Sequence, residues 1–209
     1  MVTAPGNRLQ AHFGRYTTHL YLVMAAMLVG VLFGVLAVGT LSVADRLSLM
    51  SYVKQFVDLE ASSPTYRHVF QPALAQNLKL LGLLYVLGVS VAGMPLVLLV
   101  VFFRGFVLGF AATFLVQGLQ WRGAAIGTAT MGIASVFLLP ALVIAAAVAL
   151  GFSWDLISPA ARRKGPGVGK AFAFFTGLVI VMAAVTLVGT ALESYVSPFL
   201  LHLLGHWGM

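Results

Sequence analysis

The chain has 209 residues, of which 61% are hydrophobic and 8% charged, with a mean hydropathy of +1.03. That composition excludes a water-soluble globular domain and leaves one compact membrane domain of about five spans, since each span takes roughly 20 residues plus a connection. The formal charge of +7 comes from twelve Lys and Arg scattered around apolar segments, which argues for membrane orientation and against a nucleic-acid partner.

The first span is expected at about 19–40, behind Arg8 and Arg15. It is too long for a signal-peptide core, so the faint cleavage-like Ala37-Val38-Gly39 is expected to be retained. From Leu41 to about Pro72 the chain turns polar, with a turn signal at Ser62-Ser63-Pro64. Within it Val43, Leu47, Met50, Val53 and Val57 recur at helical steps opposite Ser48, Ser51 and Lys54, which predicts an amphipathic helix able to lie on a membrane or dock a partner.

Leu80 to Leu119 is a run of forty residues with one charged side chain, Arg104. Forty apolar residues are about twice what a bilayer core requires, so the region is read as two spans, about 73–92 and 95–118, joined by a tight turn at Gly93-Met94-Pro95. A short Gln120-Trp121-Arg122-Gly123 connection leads to a fourth span at about 124–150, with a kink expected at Pro140. A Gly- and Pro-rich polar segment, Phe152 to Lys170, precedes the fifth span at about 171–192. The tail around Pro198 to Trp207 is apolar and aromatic enough to rest at the interface. The predicted fold is all-α and polytopic, a single membrane domain.

With the N-terminus in the cytoplasm, the inner segments hold Arg8, Arg15, Arg162, Arg163, Lys164 and Lys170 against Asp155. The outer segments then hold Arg46, Lys54, Arg67 and Arg122 against Asp45, Asp58, Glu60 and Glu193. The excess of basic residues inside predicts N-terminus in and C-terminus out.

Lipid tails give helices no hydrophobic reason to associate, so small residues that allow close backbone approach carry much of the packing. Ala26, Gly30 and Gly34 repeat every fourth residue in the first span, Gly105 and Gly109 in the third, and Gly123 and Gly127 open the fourth. These faces suit one another or a second protein, so self-association stays open.

Arg104 lies about 13 Å along the helix from Pro95, near mid-depth of a hydrocarbon layer of roughly 30 Å. A central arginine costs about 2.5–3.5 kcal/mol on insertion scales, so something compensates it. Two roles fit: a solute or ion path, or a structural anchor that snorkels or donates to carbonyls of an irregular turn. The structural role is favoured, because no acidic partner for a proton relay lies within a span core. Lys79, with Gln76 and Asn77 beside it, is placed at the outer end of the second span, as an interfacial cap or a contact to lipid phosphate.

No arrangement for catalysis or for a cofactor is found. Cysteine is absent, and His202 with His206 share a helical face but lack a third metal ligand nearby. Gly165 to Lys170 imitates a phosphate loop but has Lys164 and Ala171 where that pattern needs Gly and Ser or Thr. Asp58 and Glu60 alternate in a polar loop where solvated acids are ordinary.

Asn77-Leu78-Lys79, Gly82, Leu87-Gly88-Val89-Ser90 and Gly93-Met94-Pro95-Leu96 follow in order, then Phe103-Arg104-Gly105-Phe106-Val107-Leu108-Gly109-Phe110. In this ordered series, and in its five-span layout over nearly the whole chain, the sequence resembles the stage II sporulation protein M family. Thr128, Thr130, Met131 and Gly132 in the fourth span depart from the family's pattern of a proline followed by polar residues.

The resemblance implies a role in endospore formation, during thinning of septal peptidoglycan and engulfment. It implies a non-catalytic scaffold that anchors and localises wall-degrading partners, the D and P proteins of the same stage, outside the cell membrane. The structural or functional candidates carried by the motif are Asn77, Lys79, Gly93, Pro95, Arg104 and Gly105. A second class, a small permease or channel component with Arg104 near its solute path, stays open beside it.

Overall fold

The computed structural model describes residues 5–62, 66–127, 133–158 and 167–206, with side chains described for 17–55, 70–118, 135–158, 167–192 and 194. Among the described residues six helices follow one another: α1 Pro5–Gly39, α2 Val43–Ser62, α3 Tyr66–Val89, α4 Gly93–Gly127, α5 Ile133–Ile157 and α6 Val168–His206. Five are long and apolar enough to cross a membrane, over Thr17–Gly39, Phe70–Val89, Gly93–Gly118, Ser135–Ile157 and Val168–Leu192. The expected Ser62-Ser63-Pro64 turn is described only at Ser62, which ends α2; residues 63–64, Thr128–Gly132, Arg162–Lys164 and Trp207 lie outside the described residues.

α5 is the centre of the bundle. It packs against α1, α3, α4 and α6, and 61% of its apolar segment is buried, against 11–22% for the other four. Its run of buried alanines, Ala145, Ala146, Ala147 and Ala149, lets neighbouring backbones come close, which is what apolar helices need where no water drives them together. Pro140 lies inside this helix, which continues on both sides of it. Phe175 of α6, fully buried, is stacked between Tyr85 of α3 and Phe152 of α5, each ring centroid 5.2 Å from its own. The Tyr85 hydroxyl also shares a 3.2 Å hydrogen bond with the Thr176 hydroxyl, so its polar tip is satisfied.

α1 and α4 run parallel in direct backbone contact. A Cβ on Gly30 or Gly34 would overlap the carbonyl oxygen of Phe102 or Phe106, and one on Gly105 or Gly109 would overlap that of Met27 or Val31. The two small-residue faces expected from sequence therefore meet each other within one chain. Gly123 and Gly127 do not open a fourth span: α4 carries the chain unbroken through Gln120–Gly123 to Gly127, and the next described helix is α5, Ile133–Ile157. Helical hydrogen bonds continue beyond the apolar stretch because polar side chains do not disrupt them.

The bend between α3 and α4 is Ser90-Val91-Ala92, and Gly93-Met94-Pro95 forms the first turn of α4 rather than the bend itself. The Ser90 N–H donates to the Leu87 carbonyl and the Gly93 N–H to the Ser90 carbonyl, both at 3.0 Å. A Cβ on Gly93 would overlap the Leu87 carbonyl, so the closeness of the hairpin demands glycine there. Pro95 falls where its missing N–H costs nothing. Ser153 of α5 donates to the Ser90 carbonyl at 2.8 Å and fastens the bend to the bundle.

At the opposite end Ser42 caps α2: its Oγ accepts from the Asp45 N–H at 3.2 Å and donates to the Asp45 carboxylate at 2.6 Å. Arg46 donates to the Val38 carbonyl at 2.9 Å, satisfying a backbone group at the end of α1. α2 packs on α6 and sets Met50 against Gly118 of α4. Of the face expected from sequence, Met50 and Val53 are half-buried, whereas Val43 and Leu47 are exposed; the docked face is rotated toward Arg46 and Leu49.

Candidate functional site

Arg104 lies inside an unbroken helix, remote from the irregular turn it was expected to anchor. α3 and α4 form an antiparallel hairpin, in which residues equally far from the bend share a depth. Lys79 is 11 residues before Ser90 and Arg104 is 12 residues after Ala92, so each stands about 17 Å from the bend along its helix. Lys79 is accordingly not at the outer end of its span. α3 runs unbroken from Tyr66 through Pro72 to Val89, which places Lys79 near its middle, at the level of Arg104.

The two cations open onto one groove of about 420 Å³ between α3 and α4, lined by Gln76, Lys79, Leu80, Leu83, Val100, Phe103, Arg104 and Val107. Lys79 and Gln76 are exposed along it, and Arg104 is half-buried. A charge at this depth costs about 2.5–3.5 kcal/mol on insertion scales, so two of them side by side are a feature to be accounted for by function or by strong local compensation.

Arg104 also reaches inward to a cavity of about 10 Å³, room for about one water, walled by Asn77, Leu80, Leu81, Leu138, Leu142 and Thr186. Asn77 donates from Nδ2 to the Thr190 hydroxyl at 3.3 Å, and the Ser194 hydroxyl donates to the Thr190 carbonyl at 2.6 Å. Thr186, Thr190 and Ser194 are all buried and recur every fourth residue, so α6 turns a polar stripe toward the bundle interior. Sequence reasoning missed this stripe. Its signal was the four-residue spacing of hydroxyls in an otherwise apolar helix, a pattern that hydropathy averages away.

The six candidate residues thus divide into three places. Asn77, Lys79 and Arg104 come together at mid-depth, with Gln76 and Thr186. Gly105, next to Arg104, faces α1 instead. Gly93 and Pro95 belong to the bend at the end of the hairpin. Chemically the mid-depth group offers cations, amides and hydroxyls, a set suited to holding an anion or water. Among the described residues no group of three His, Asp or Glu side chains is placed to hold a metal ion.

No curated protein and no solved structure matches the chain. The model of the stage II sporulation protein M family matches residues 23–198, from the buried Val23 of α1 to the last turns of α6. Because that match takes in the whole α3–α4 hairpin, the mid-depth group and the central α5, the chain belongs to the stage II sporulation protein M family.

Proposed function

We propose that this multi-pass membrane protein works in endospore formation as a non-catalytic scaffold. It holds peptidoglycan-degrading partners, the D and P proteins of the same stage, at the outer face of the membrane during septal thinning and engulfment. Family membership supplies the sporulation context. The observation that carries the scaffold reading is α2, a helix capped and tied to α1 through Arg46 that leaves Val43 and Leu47 exposed, at 76% and 68%. A helix held this firmly but uncovered on one flank suits a docking element.

With the N-terminus inside and the C-terminus outside, α2 faces the cell wall. Deleting residues 42–59 in a sporulating host abolishes recruitment of the wall-degrading partners while membrane insertion persists. Unchanged partner localisation in that strain refutes the scaffold.

The polar cavity at mid-depth favours one other reading, a permease component. Purified protein in liposomes separates them: a scaffold gives no solute flux and retains partners in detergent pull-downs. Arg104→Leu lowers the yield of folded protein under the first reading, whereas normal assembly with selective loss of flux supports the second.

A further inference from the structure

We propose that the α3–α4 groove is a binding site for one anionic phospholipid, whose phosphate sits between Lys79 and Arg104. Both cations line this groove at one depth, and no carboxylate lines it. An anion seated in the cleft meets the exposed Lys79 ammonium on one wall and the Arg104 side chain on the other.

Lys79 is exposed within a lipid-facing surface, and no hydrogen bond or ion pair to it occurs among the described residues. The remaining chemistry is graded along the groove as an amphiphile requires. Because the hairpin is antiparallel, Gln76 stands level with Val107 at the end nearer α2, and Leu83 stands level with Val100 nearer the bend. The polar donors Gln76, Lys79 and Arg104 therefore occupy the α2 end and the middle. Leu83, Val100 and Phe103 continue as an apolar wall along which an acyl chain extends from mid-depth toward the bend. The occupant is thus a lipid of the leaflet on the α2 side, with its headgroup drawn inward.

The proposal is independent of the scaffold reading, since its test contains no partner protein. Purified full-length protein is stripped of lipid in a neutral detergent, then titrated with dioleoyl-phosphatidylglycerol or dioleoyl-phosphatidylcholine and followed by native mass spectrometry. The expected result is one phosphatidylglycerol retained per chain, favoured about tenfold over phosphatidylcholine, as one charge-assisted contact implies. Lys79→Gln removes that preference and Lys79→Arg keeps it, while Lys54→Gln on α2 leaves it unchanged. Should Lys79→Gln fail to fold, Val107→Trp, which fills the groove and alters no charge, carries the same expectation of lost binding. Equal retention of the two lipids, or an unchanged preference in folded Lys79→Gln, overturns the site. Displacement of the lipid by millimolar inorganic phosphate overturns the lipid as its occupant.

Discussion

The carbonyl oxygen of Phe102 occupies the space that a β-carbon on Gly30 would need. Around it α1 and α4 meet backbone to backbone, and Gly34, Gly105 and Gly109 repeat the relationship along both helices. Gly30→Ala and Gly105→Ala are each expected to destabilise the protein by about 1–3 kcal/mol, because a rigid backbone must move aside for one methyl group. Gly82→Ala, with nothing within 4 Å of the new atom, is expected to be neutral or to stabilise by about 0.5–1 kcal/mol through helix propensity. Thermal unfolding in detergent compares the three.

Gly93→Ala is expected to break the α3–α4 hairpin, since the new methyl would meet the Leu87 carbonyl inside one tight bend. Loss of the monodisperse peak in size-exclusion chromatography reads this out. Met94→Leu, one residue on, serves as the control and leaves the peak intact.

Truncating the stacked ring at the junction of α3, α5 and α6 tests the core. Phe175→Ala is expected to cost about 3 kcal/mol or more, because the cavity it leaves strips Tyr85 and Phe152 of their contacts on one side. Phe175→Leu costs less, and unfolding midpoints of the two variants give the order.

The Asn77–Thr190 hydrogen bond is the link between the hairpin and the α6 stripe. A double-mutant cycle with Asn77→Leu and Thr190→Val is expected to return a coupling of about 0.5–1.5 kcal/mol, the range for hydrogen bonds between membrane helices. A coupling near zero shows that the two side chains do not share a bond in the membrane.

Orientation is accessible because the chain lacks cysteine. A single cysteine introduced at the exposed Ser48 of α2 is expected to react with an impermeant thiol reagent on intact cells. One at the exposed Val91 of the α3–α4 bend is expected to react only after permeabilisation. The reverse pattern inverts the topology.

The glycine faces of α1 and α4 could be read as close-packing surfaces from spacing alone, and the structure adds only that each is the other's partner. Depth was harder. The polar residues and Pro72 ahead of Ala73 set the expected start of the second span there, which puts Lys79 toward the surface. The helix in fact begins at Tyr66, and measuring both cations from the bend puts them level. The end of α4 is hidden for a related reason: Gln120 to Gly123 mark where the apolar stretch ends, and the helix continues past them to Gly127. Thr186, Thr190 and Ser194 escaped notice because a hydroxyl barely changes the hydropathy of a span, although buried ones need partners.

The packing of α5 against α1, α3, α4 and α6 has a consequence for biogenesis. The ribosome delivers α1, α3 and α4 first, and together they offer α5 only an open trough. The side of α5 that packs on α6 stays uncovered until α6 has been synthesised and closes over it. A polypeptide arrested before Val168 would therefore present the α6-facing side of α5 to lipid or to the insertion machinery, and α5 gains its full set of contacts only once α6 has left the ribosome.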